Sequence, residues 1–70
     1  MSEMIDRKII GRRMAELRGG RTQEEVARAI NVSISALSSY ELGERIPRDP
    51  IKVRIANYFG VSIQSIFFDS

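Results

Sequence analysis

The sequence contains no cysteine and no histidine. Their absence excludes a disulfide framework, a Cys/His zinc site, thiol catalysis and a histidine general base. No apolar run is longer than a few residues, so nothing in the chain is expected to span a membrane. The basic-then-apolar layout of a signal peptide is also missing, and a cytoplasmic protein is the default expectation. There is no repeat, low-complexity tract or linker. Strand signals are poor, because apolar residues rarely alternate over a useful length. Lysine is scarce too: nine of the eleven cations are arginine.

What is present points to one small helical domain. Seventy residues, of which 43% are apolar, make a compact globule near the lower size limit for an independent core. The expected domain is residues 1–70. With no covalent or metal staples, such a core gains from further burial, and oligomerisation is the obvious source. The net charge is only +2, but the pI is near 9.5. Arginine makes forked contacts to phosphate and to guanine, so this bias suits nucleic acid as well as a plain solvated surface.

Helical spacing is clear. Asp6 caps a first helix to about Arg18, with Ile10, Met14 and Leu17 on one face. Gly11 inside it implies the close approach of another backbone. Gly19-Gly20 ends it. Thr22 opens a second, short helix, and "TQEE" has the shape of a capping box, with Val26, Ala27 and Ile30 inward. Asn31 suits a left-handed C-cap. Ser33 caps a third helix to about Leu42, with Ala36, Leu37 and Tyr40 inward. Asp49-Pro50 reads as cap and first residue of a fourth helix to about Phe59. Ser62 caps a last short helix with Ile63, Ile66 and Phe67 inward. The fold class expected is all-α, with five helices.

Two short helices joined by a tight turn at Asn31 suit a helix-turn-helix over about residues 22–42. Ala27 supplies the small residue that a steep crossing needs. Spacing alone is equally consistent with an ordinary αα-hairpin in a bundle.

"TQEEVARAINVSISALSSYELGERIP" resembles the phage-repressor-like, or Xre-type, helix-turn-helix family, and "IANYFGVSIQSIF" is similar to that family's final section. The matching residues are Thr22, Gln23, Glu24, Glu25, Ala27, Val32, Ser33, Tyr40, Glu41, Gly43, Arg45 and Pro47. The resemblance implies a lambda-repressor-like domain that binds double-stranded DNA, with the third helix as reader. It also implies that Glu41 pairs with Arg18 to lock the first helix onto the third, and that Gln23 touches the DNA backbone and braces the reader. The chain departs from the family at the turn, where Asn31 replaces glycine, and in the shorter "GGR" link. It departs again on the outward face of the third helix, where Ile34, Ser35, Ser38 and Ser39 replace the usual amides and cations.

No acid occurs between Val26 and Tyr40, as a helix facing base edges requires. Serine is compatible with several base edges but discriminates weakly, and Ile34 can rest on a thymine methyl group. The expected base contacts are therefore Ile34, Ser35, Ser38 and Ser39. Arg21, Thr22, Gln23, Ser33, Arg45 and Arg48 are the expected phosphate contacts. Arg12 and Arg13 stay open between contact and solvated surface. Phe67 and Phe68 cannot both face one core. With Phe67 inward, Phe68, Ile63 and Tyr58 form a candidate dimer patch.

The function expected is a sequence-specific transcriptional regulator, repressing as a homodimer on a near-palindromic operator. A helical adaptor that binds protein instead of DNA is the alternative. A restriction-modification controller and an antitoxin are further roles within the family. No cofactor, metal, membrane or small-molecule ligand is expected. No enzyme is expected either, because the acids are accounted for by capping, pairing and turns.

Overall fold

Each helix starts where a side chain can satisfy its free N–H groups, except the fourth. Asp6 accepts from the Lys8 N–H at 2.6 Å and opens α1, Arg7–Arg18. Thr22 accepts from the Glu25 N–H at 3.0 Å and opens α2, Gln23–Ala29. Ser33 does the same for the Ala36 N–H at 3.0 Å, opening α3, Ile34–Glu41. The fourth helix, α4, is Asp49–Phe59. Ser62 opens α5, Ile63–Phe67, by accepting from the Ser65 N–H at 3.1 Å. Only half of the expected capping box forms: the Glu25 carboxylate stands 4.0 Å from Arg21 Nε. The computed structural model describes residues 5–68. Among these, a single bridge at Phe68 is the only extended pairing.

Helix α4 begins one residue earlier than expected. Its N-cap is Arg48, whose carbonyl accepts from the Lys52 N–H at 2.9 Å. Asp49 therefore lies inside the first turn, and its carboxylate pairs with Lys52 at 3.3 Å instead of capping. The third helix stops at Glu41, and Leu42, expected as its last residue, is its C-cap.

The tight turn between α2 and α3 is built by backbone geometry. Asn31 adopts φ +60°, the only positive φ outside glycine among the described residues. Its N–H donates to Arg28 O at 3.2 Å, and the next N–H, of Val32, donates to Ala27 O at 2.9 Å. This pair of bonds is a Schellman closure, which satisfies the carbonyls of Ala27 and Arg28 and reverses the chain.

The core joins all five helices. Ile10 and Met14 from α1, Val26 and Ala27 from α2 with its C-cap Ile30, Leu37 and Tyr40 from α3, Ile55 and Ala56 from α4, and Ile66 and Phe67 from α5 are all buried. Each large apolar side chain so buried contributes about 1.5–3 kcal/mol relative to exposure. Helix α3 packs on α1 and α2, and α5 packs on α1 and α4.

The α1–α3 contact is the tightest. A Cβ at Gly11 would lie 2.4 Å from Glu41 O and 2.7 Å from Tyr40 O, so α3 backbone rests directly on this glycine. Nearer the start of α1, Gly43 sits on the same helix: a Cβ there would lie 2.9 Å from Lys8 Cα and 3.1 Å from Arg7 O. The first and last described segments also meet, through a hydrogen bond from the Ile5 N–H to Phe67 O at 3.2 Å. No helix among the described residues is long and apolar enough to cross a membrane.

Candidate nucleic-acid interface

The outward side of α3 is graded along its length. Ile34 is 47% exposed, and Ser33 and Ser35 are also exposed. Ser38 and Ser39, one turn further on, are half-buried. The start of the helix therefore offers a freer surface than its end. No ionisable side chain interrupts it, so hydroxyls and one branched alkyl group form the whole face.

A small charged and polar network holds that face in place. Arg18 reaches from the end of α1 and grips Glu41 in two bonds, Nε to Oε2 at 2.7 Å and Nη2 to Oε1 at 3.1 Å. Gln23 Nε2, at the start of α2, donates to the same Oε1 at 3.1 Å. The third Arg18 nitrogen donates to Arg21 O at 2.8 Å and fixes the α1–α2 link. The pair forms despite the short "GGR" link. Hydrogen bonding to the Glu41 carboxylate raises the Arg18 pKa above the ordinary arginine value, against a smaller opposing effect of desolvation. The Glu41 side chain is only 7% exposed, so this network lies largely out of water.

The sequence-predicted phosphate contacts do not share one environment. Thr22 and Ser33 are exposed N-caps, at the starts of α2 and α3. Gln23 is half-buried by its bond to Glu41. Arg21 folds back on its own chain: Nη1 donates to Leu17 O at 3.2 Å, and the guanidinium lies 5.6 Å and 5.7 Å from the Tyr58 and Phe59 ring centres. Arg45 lies over Tyr40, 5.7 Å from the ring centre. Arg45 and Arg48 line one surface hollow of about 620 Å³ beyond the C-terminal end of α3, together with Arg7, Tyr40, Glu44, Ile46 and Ile51. Tyr58, Ile63 and Phe68 lean half-buried against the core and do not project freely.

A helix-turn-helix family model matches residues 12–66. The chain belongs to the helix-turn-helix family. That match covers α2, the turn at Asn31 and α3, and it places the chain among DNA-binding regulators. Solved structures agree with this chain in shape. The restriction-modification controller protein C.AhdI from Aeromonas hydrophila is similar with a TM-score of 0.81 and 25% identity, over 89% of this chain and 97% of that one. The clp gene regulator ClgR from C. glutamicum is similar with a TM-score of 0.77 and 26% identity, over 91% of this chain and 86% of that one. No curated protein matches the sequence.

This helix-turn-helix protein also uses residues that sequence reasoning missed. Arg54 Nη1, on α4, donates to Ile30 O at 3.1 Å and Asn31 O at 3.4 Å, and so pins the turn from behind. Lys8 Nζ donates to Leu42 O at 3.2 Å, at the C-terminal end of α3. Arg13 Nη1 donates to Ser65 O at 3.0 Å and Phe68 O at 3.3 Å, at the C-terminal end of α5. In each case a cation from one helix meets the negative end of another. The pairing is invisible in sequence, because the partners are brought together only by packing.

Proposed function

We propose that this protein is a sequence-specific transcriptional repressor that binds double-stranded DNA in the cytoplasm as a homodimer, on a near-palindromic operator, without catalysis, cofactor or metal. The observation that carries the reading is the uncharged face of α3, free at Ile34 and Ser35, held by the Arg18–Glu41–Gln23 network. A face of this kind meets base edges without repelling phosphate.

In this reading Ile34, Ser35, Ser38 and Ser39 contact bases, with Ile34 against a thymine methyl group. Thr22, Gln23 and Ser33 meet phosphates at helix starts, and Arg21, Arg45 and Arg48 flank them. Direct readout is modest, so DNA shape and backbone contacts supply much of the affinity. The described fold measures 35 × 23 × 22 Å, which spans about one turn of B-DNA. One chain therefore presents one reader to one groove, and a two-fold site calls for a second chain, joined through Tyr58, Ile63 and Phe68. Occupying an operator represses by occlusion alone. Within this reading, the likeness to C.AhdI favours a controller of restriction-modification genes.

The test is selection of bound duplexes from a random pool. The expected outcome is an enriched pair of inverted half-sites about one helical turn apart, with affinity that falls steeply as salt rises. No enrichment, together with no duplex binding at low salt, refutes the reading in favour of a protein-binding adaptor.

A further inference from the structure

The fold engages most of its cations internally. Lys8, Arg13 and Arg54 donate to backbone carbonyls at helix ends. Arg18, Arg28 and Lys52 face Glu41, Glu24 and Asp49, and Arg21 bonds Leu17 O. Four arginines are left. Among the described residues the side chains of Arg7, Arg12 and Arg48 make no hydrogen bond or ion pair, and that of Arg45 touches only the Tyr40 ring. Arg7, Arg45 and Arg48 of these four line the same hollow beyond α3.

We propose that this hollow is a seat for one phosphate group of the DNA backbone, with Arg7 as its third guanidinium, so that the start of α1 joins the DNA-facing surface. The proposal rests on the DNA-binding reading above. Three arginines and one acid, Glu44, line the hollow, so its lining is net cationic. Forked donors of this kind suit phosphate oxygens. The Tyr40 ring holds Arg45, and Ile46 and Ile51 give the hollow apolar flanks. Arg7 is delivered there by packing. Gly11 presses α1 onto Tyr40 and Glu41, and Gly43 rests on Arg7 and Lys8, next to Glu44 and Arg45 in the chain.

The experiment compares the full chain with Arg7→Gln, Arg45→Gln and Arg12→Gln, binding a selected duplex by fluorescence anisotropy across a salt series. Thermal melts check that each variant is folded. Each phosphate contact contributes about 0.9 to the log–log salt slope, so Arg7→Gln, which removes one contact from each protomer of the dimer, should flatten it by about 1.8. Between 50 and 200 mM salt the parent should then lose roughly 12-fold more affinity than Arg7→Gln. Arg12, unpaired but outside the hollow, controls for net charge, and its substitution should leave the slope unchanged. A parental slope for Arg7→Gln beside a flattened slope for Arg45→Gln overturns the role of Arg7. Failure of the parent to bind duplex at low salt is failure of the DNA reading itself. The hollow is then judged by titrating inorganic phosphate and monitoring the arginine Nε–Hε NMR signals. Joint shifts of Arg7, Arg45 and Arg48 in that case assign the seat to a free anion and overturn its assignment to the DNA backbone. No shift overturns the seat altogether.

Discussion

Replacing Gly11 with alanine tests the close approach of α1 and α3. The added Cβ would lie 2.4 Å from Glu41 O, 2.7 Å from Tyr40 O and 2.9 Å from the Glu41 carbonyl carbon. All three are backbone atoms of α3, so no side chain can swing aside. Restoring an ordinary contact requires α1 and α3 to part by roughly 1 Å, and a gap of that size forfeits a quarter to a half of each van der Waals contact along the seam. Overpacking of this kind costs about 1–3 kcal/mol, and rigid obstacles put Gly11→Ala at the upper end. Alanine returns about 1 kcal/mol through its better helix propensity. The net expectation is a loss of about 2 kcal/mol, from a total of about 3.5–10 kcal/mol for a domain of this length. Thermal unfolding monitored by circular dichroism should show the midpoint lowered by roughly 8–16 °C. Gly20→Ala is the control, because nothing lies within 4 Å of its added Cβ and its φ is not positive. It should melt at or slightly above the parental temperature. A Gly11→Ala midpoint equal to or above the parent's refutes the account of the α1–α3 seam.

Asn31→Ala should cost about 1–2 kcal/mol, the penalty of a left-handed conformation with a Cβ, whereas Asn31→Gly should stay within a few tenths of the parent; urea midpoints decide this. Arg18→Met leaves the Glu41 carboxylate, 7% exposed, without its ion-pair partner, and the 24% exposure of Arg18 limits the cost to about 2 kcal/mol. Adding Glu41→Gln should recover part of that loss, so strictly additive single-mutant effects in a urea cycle would show that the pair is not coupled. Ile34→Ala should alter base preference more than Ser39→Ala, since Ile34 is the freer side chain, while affinity for non-specific duplex holds. Competition among selected half-sites measures this, and identical preferences in both variants and the parent would remove α3 as reader.

Most of the fold is legible in the sequence because its signals are local. Thr22, Ser33 and Ser62 announce helix starts through hydroxyls that satisfy nearby N–H groups. Gly11 betrays a helix–helix approach, because a glycine in mid-helix has a cost that only close packing explains. Asn31 marks the turn for an equally local reason. The start of α4 differs by one residue: Asp49 looks like a cap, but the first accepting carbonyl belongs to Arg48. The surroundings of the candidate site are less legible. Nothing about Arg7 in sequence separates it from Arg12, yet one lines the hollow and the other does not. Lys8 and Arg54 read as surface cations, and Arg13 as either a phosphate contact or a surface cation, until packing brings helix ends under them. The grading of α3, with Ser38 and Ser39 half-buried, likewise depends on the chain packed beside the helix and not on its own period.

The hydrogen bond between Ile5 and Phe67 makes the backbone nearly a closed ring. A ring can be opened elsewhere. Linking the segments on either side of that bond with a short peptide and cutting between the exposed Gly19 and Gly20 would reorder the described elements while leaving every buried side chain with its neighbours. Such a circular permutant would carry α1 at its tail, and its folding would test whether this architecture depends on α1 being synthesised first.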